Sequence, residues 1–200
     1  MNISISLLNA VANTRIFISG NSRSGSIEQA FATTAKEVYS GKKKLDFKNN
    51  LKGITPSNEQ FGIAFENASV SKTQWARYYL RSLEMTAKNE AEPWLIPNDD
   101  KQAINLEHVL PKKPEDKWSE FTADELGLYA NRLGNMVLLQ ASKNSDLKND
   151  TFEKKRQIYQ SSPYTLTSQI ATETKWNKQS IIARQKTLAI YALKAWTVEI

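Results

Sequence analysis

The stretch Ile104-Asn105-Leu106-Glu107-His108-Val109-Leu110-Pro111 decides how this chain is read. Residues 103–109 are few, alternate apolar with polar side chains and are bounded by loop formers, which predicts a β-strand. The run carries His108, the only histidine of the sequence, directly after the acid Glu107 and just before a proline. A carboxylate is a hard oxygen ligand for a divalent cation, and a neutral imidazole can take a proton from water near neutral pH. Neighbours on a strand point to opposite faces. The two side chains can therefore serve one site only where the strand ends or bends, and Pro111 makes an end plausible.

Downstream, Pro111, Lys112, Lys113 and Pro114 predict a rigid, exposed turn. Thr122-Ala123-Asp124-Glu125 has the form of a capping box and predicts a short helix through Ala130. Gly134 leads into a second strand, residues 135–139, followed by the polar run Ser142, Lys143, Asn144, Ser145 and Asp146. Helices are expected over about 151–160, 166–172 and 179–198, the last with Ile181, Ile182, Leu188, Tyr191, Leu193 and Trp196 as its buried stripe. Upstream, a helix opening at Ser26 would bury Ile27, Phe31, Ala35 and Val38 and stop at Gly41. The basic stretch Lys42, Lys43, Lys44, Lys48 and Lys52 is expected to be solvated. Ser57 and Gln60 form another capping box, before a helix bearing Phe61, Ala64 and Phe65. Ser71 is expected to cap a longer helix in which Trp75, Tyr78, Tyr79, Leu80 and Leu83 form a core stripe, and residues 88–101 read as a loop. The class is α+β and predominantly helical.

The composition suits a packed protein: 40% hydrophobic and 24% charged residues over 200 positions. A formal charge of +6 favours a polyanionic partner. The absence of cysteine excludes disulfides, thiol catalysis and Cys-ligated zinc. No apolar run approaches the ~20 residues of a membrane span, and the start lacks the charged region of a signal peptide, so a cytoplasmic protein is expected. There is no His-Glu-x-x-His, phosphate-loop or nucleophile-elbow motif.

Glu107-His108, the turn Leu133-Gly134-Asn135 and Asn144 together give strand, loop, strand and helix with polar groups at the joints. This resembles the HNH (His-Me finger) nuclease motif. The longer strings Glu-His-Val-Leu-Pro (107–111), Asn-Arg-Leu-Gly-Asn-Met-Val-Leu-Leu (131–139) and Asn-Ser-Asp-Leu-Lys-Asn-Asp-Thr-Phe-Glu-Lys-Lys (144–155) resemble one subfamily. That subfamily is the C-terminal nuclease domain of GmrSD-type, modification-dependent restriction endonucleases, and Trp176, Arg184 and Trp196 fit its C-terminal helices. Met136 stands where the subfamily more usually has Leu.

The resemblance implies a helical bundle around a small ββα-metal centre, with residues 57–200 as the nuclease domain and 1–56 as a helical connector. It implies a DNA endonuclease of bacterial restriction and antiviral defence that uses one Mg²⁺ or Mn²⁺ ion. His108 would be the general base, Glu107 and Asn144 the metal ligands, and Asn135 the group that fixes the loop and ring of His108. Lys143, Lys148, Lys154, Lys155 and Arg156 would hold DNA phosphates. Longer relatives carry a nucleotide-dependent sensor domain with an Asp-Gly-Gln-Gln-Arg-like motif, which this sequence lacks, so a separate sensor domain or subunit is an expected partner. The alternative is a catalytically inactive module that keeps the fold and binds nucleic acid or docks a partner.

Overall fold

The computed structural model describes residues 5–20, 24–41, 51–89, 103–114, 116–144, 147 and 149–198, without the side chains of 5–10, 24, 31 and 38. Lys42, Lys43, Lys44, Lys48 and Lys148, most of the loop read over 88–101, and the side chains of Phe31 and Val38 lie outside that description. Contacts divide the chain into two units: Met1–Phe65 with Trp196–Ile200, and Glu66–Ala195.

The first unit contains α1 (Ile5–Ser19), α2 (Ser24–Tyr39) and most of α3 (Asn58–Asn67). α2 stops where the sequence places its stop: Gly41 takes φ 72°, a left-handed conformation that costs glycine little, and the Ser40 N–H closes onto the Lys36 carbonyl at 3.0 Å. Its buried positions include Ala30 and Thr34, while Ala35, expected inside, is exposed. The capping box at α3 forms in both directions. Gln60 N–H donates to Ser57 Oγ at 3.2 Å, and Ser57 N–H donates to Gln60 Oε1 at 3.0 Å. Phe61 and Phe65 each lie with their ring centroids 6.2 Å from that of Trp196. Buried Arg15 donates to Trp196 O (2.8 Å), Pro56 O (3.0 Å) and Asn58 Oδ1 (2.6 Å), and its guanidinium lies over the Phe61 ring.

The second unit runs α4 (Thr73–Lys88), β1 (Ile104–His108), α5 (Ala123–Tyr129), β2 (Met136–Gln140), α6 (Ala141–Asn144), α7 (Phe152–Gln160), α8 (Thr165–Ser168) and α9 (Lys178–Ala195). Tight 3₁₀ turns at Asp116–Trp118, Leu133–Asn135 and Gln169–Thr172 join them. The fold is a predominantly helical α+β structure with a small sheet, as the sequence implies.

Two helices differ from expectation in detail. α4 is preceded by Lys72, not Ser71, at its N-cap, and no side chain caps it. Its buried residues include Ala76, Tyr79, Leu80 and Leu83, at the i, i+3, i+4, i+7 spacing of one face. Trp75 (44% exposed) and Tyr78 (38% exposed) fall off that face, so the aromatic stripe is only partly core. In α9 the buried stripe is Ile181, Gln185, Leu188, Ala189 and Ala192, while Ile182, Tyr191 and Leu193 are half-buried. A glutamine inside the stripe has a specific use, described below.

β1 and β2 pair antiparallel in the register Ile104↔Gln140, Asn105↔Leu139, Leu106↔Leu138, Glu107↔Val137 and His108↔Met136. Val109 N–H extends the ladder by donating to Asn135 O at 2.9 Å. α6 follows β2 without a break, giving strand, strand and helix in succession. Val109, Val137 and Leu139 pack with Trp118, Phe152 and Trp176 in the core of this unit. Glu84, buried on α4, accepts from the N–H groups of Thr165 and Leu166 and so caps α8 from a distance in sequence.

Gly134 is closely packed. A Cβ there would meet the Ile181 carbonyl oxygen at 2.5 Å and Gln185 Oε1 at 3.0 Å. The Gly134 N–H donates to that same Gln185 oxygen, which explains the buried amide of α9. Gly134→Ala should therefore push α9 off the turn and lower stability by about 1–3 kcal/mol through overpacking. Urea unfolding of the variant beside the parent would measure it.

Candidate functional site

The site is built outward from Asn135, which is 0% exposed. Its Oδ1 accepts from Leu110 N–H (2.8 Å) and from the Trp176 indole N–H (3.0 Å). Its Nδ2 donates to Leu110 O (2.9 Å) and Ala130 O (3.1 Å). One side chain thus ties the segment leaving β1 to the end of α5 and to Trp176. From behind, Arg184 on α9 donates one amino group to the carbonyls of Leu133 (3.0 Å), Gly134 (2.8 Å) and Met136 (2.9 Å). Asn135 was expected to hold both the loop and the ring of His108. Its hydrogen bonds reach the loop and not the imidazole.

Glu107 is 8% exposed and lies opposite Val137. Its Oε1 accepts from Lys155 Nζ at 2.6 Å, and that ammonium also donates to the His108 backbone carbonyl at 2.8 Å. Burial pushes the Glu107 carboxyl up from the ordinary range and Lys155 opposes the rise; burial pulls Lys155 down and Glu107 opposes the fall. His108 pairs with Met136, so strand alternation assigns it to the face opposite Glu107. The ring is partly buried, and its Nε2 is buried without a hydrogen-bond partner among the described residues. Burial, then the positive charges of Lys112 and Lys155, lower its pKa to about 4. The ring is therefore neutral at physiological pH. Tyr159, one helical turn beyond Lys155 on α7, also carries a buried hydroxyl without a partner among the described residues.

Asn144 closes α6 and is half-buried. It lies four residues past Gln140, which pairs with Ile104 at the end of the ladder away from His108. Among the described residues no hydrogen bond engages its side chain, and its carbonyl accepts from Leu147 N–H at 3.2 Å. The fold thus gathers Glu107, His108 and the loop held by Asn135 around the exit of β1, while Asn144 closes α6, four residues beyond the other end of the ladder.

The basic residues read as phosphate contacts separate. Lys143 and Lys154 are exposed, Lys154 with an ion pair to Asp150 at 3.3 Å. Arg156 lies 3.6 Å from Glu153 and donates to Glu173 O. Lys155 requires correction: its side chain is 0% exposed and committed to Glu107 and His108, so it offers no ammonium to DNA. Its charge and Lys112 were missed as neighbours of His108. Lys155 lies 47 residues from His108, so no local spacing shows it. Lys112, four residues after His108, was legible.

The family of GmrSD restriction endonucleases, C-terminal domain, matches residues 55–190, and the chain belongs to it. No curated protein matches the chain. No described helix is long and apolar enough to cross a membrane.

The donor chemistry fits a hard divalent cation through oxygen. Glu107 accepts from Lys155 through Oε1 and from the His108 backbone, and about a tenth of the side chain is exposed. Asn144 would add an amide oxygen.

Two outcomes follow for the metal-free protein. Asn135→Ala leaves the Leu110 N–H and the Trp176 indole N–H without their acceptor, at about 1–3 kcal/mol for each buried group, and a lowered urea midpoint would register it. The unfolded chain takes up a proton near pH 6.5 that folded His108 refuses until about pH 4. Stability should fall as pH drops through that window, and His108→Gln should flatten the dependence in thermal melts in EDTA.

Proposed function

We propose that this chain is a metal-dependent DNA endonuclease of the HNH (His-Me finger) type, acting within a bacterial restriction or antiviral defence system. The observation that carries the reading is the buried Nε2 of the only histidine, without a partner among the described residues, next to an acid at the strand exit, in a chain of this restriction endonuclease family. A buried, unpartnered polar atom is costly, and such atoms persist where chemistry uses them.

His108 enters the reaction neutral, so it can take the proton of the attacking water. Its low basicity, set by burial and two nearby lysines, limits how far that proton moves before bond breaking. Asn135 acts at one remove, holding the loop that follows His108. Glu107 and Asn144 would hold the ion, completing a ββα-metal centre on β1, β2 and α6. A bound Mg²⁺ or Mn²⁺ supplies charge neutralisation at the phosphate and at the departing oxygen. Lys143 and Lys154, together with Lys112 and Lys113, offer exposed cations to the DNA backbone. A nucleotide-dependent sensor domain or subunit would choose the DNA to be cut.

A second reading has one observation in its favour. Among the described residues no group of three His, Cys, Asp or Glu side chains could hold a metal, and Lys155 already neutralises Glu107. A module that binds DNA without cutting it would tolerate that pairing.

Supercoiled plasmid incubated with the protein in Mg²⁺, Mn²⁺ or EDTA separates the two. The nuclease reading expects nicked or linear product with either metal, none in EDTA, and none from His108→Ala. Salt-sensitive binding with intact plasmid under every condition would replace it with the second reading.

A further inference from the structure

We propose that Lys155 is a positioning residue of the cleavage site, clamping the Glu107 carboxylate and the His108 backbone together and so fixing the orientation in which the acid would meet the metal. The inference rests on the nuclease reading above, and no motif of the sequence points to it.

Lys155 lies on the buried face of α7 with Phe152 and Tyr159. A buried ammonium is expensive unless its protons are used. Here one goes to Glu107 Oε1 at 2.6 Å and another to His108 O at 2.8 Å, and the group lies 5.9 Å from the centroid of the Trp118 ring. The two strong bonds fall on two successive residues, the same pair in which the chemistry is vested. Strand alternation would send those neighbours apart. A single cation bonded to the carboxylate of the first and the carbonyl of the second sets their relative geometry instead. The bond also fixes the orientation of the carboxylate, which the His108 backbone engages as well.

The sequence contains no cysteine, so Lys155→Cys introduces a unique thiol. Alkylation in denaturant with 2-bromoethylamine rebuilds a lysine-like ammonium, and 1-bromopropane gives a neutral side chain of the same length. After refolding, both forms are compared with the parent by thermal melting, by Mn²⁺ binding to DNA-free protein followed by electron paramagnetic resonance, by DNA affinity, and by kcat on plasmid. The aminoethyl form should recover Mn²⁺ affinity and kcat. The propyl form, measured below its melting temperature, should lose about 10- to 100-fold in both while DNA affinity holds.

A folded propyl form that binds Mn²⁺ as tightly as the aminoethyl form overturns the proposal. So does a propyl form that loses DNA affinity at unchanged kcat, since that marks a phosphate contact. Lys155→Arg and Lys155→Met, expressed directly, repeat the comparison if refolding fails: Arg should retain Mn²⁺ binding better than Met, and equal binding overturns the claim. His108→Ala, assayed in parallel, tests the nuclease reading separately. If the parent leaves plasmid intact that reading fails, and Mn²⁺ affinity still decides the role of Lys155.

Discussion

Four hydrogen bonds converge on the carboxamide of Asn135, and the second unit is arranged around them. The amide is the right chemical object for the place because it donates and accepts from one planar group. It meets both the N–H and the carbonyl of Leu110, much as another strand would, and so substitutes for backbone pairing where β1 runs out. An aspartate could not donate, and a leucine would leave buried partners empty. The loop that follows Glu107 and His108 therefore has a fixed course. The neighbouring glycine is dictated by the same closeness, since α9 packs against the turn with no room for a methyl group.

Polar groups inside this unit are organised in pairs of distant segments. Glu84 caps α8, Arg184 gathers three carbonyls of the Leu133–Asn135 turn and its exit, Gln185 meets Gly134, and Lys155 bridges Glu107 and the carbonyl after it. Each joins parts of the chain tens of residues apart. Low local dielectric makes such contacts strong when complete and costly when broken. The apolar core alone would tolerate some sliding between helices; these directional bonds do not. The neighbourhood of His108 inherits that stiffness, and its two lysines set the electrostatics of the ring.

Local chemistry made much of this visible in advance. The capping boxes at Ser57 and Thr122, the stop at Gly41 and the two strands follow from short-range rules, and each forms as those rules require. The pair Glu107-His108 and the Gly134-Asn135 turn were legible because their residue types are unusual at those places. What stayed hidden depends on packing between distant segments. Gln185 reads as a surface residue by polarity, yet it belongs inside because Gly134 needs an acceptor. Lys155 reads as a basic patch with Lys154 and Arg156, and only the tertiary fold turns it inward. Trp75 and Tyr78 recur at helical intervals with Tyr79, Leu80 and Leu83 and so read as part of one stripe, yet the phase of α4 that the fold buries turns them outward.

The order of synthesis gives the clamp on the Leu133–Asn135 turn another meaning. The acid and the imidazole are synthesised first, and Trp176, Arg184 and Gln185, which pin the turn, follow some seventy residues later. A polypeptide interrupted between these points carries Glu107, His108 and Asn135 without the bonds from Trp176, Arg184 and Gln185 that hold the turn. Ordering of the turn is thereby timed to the synthesis of α9.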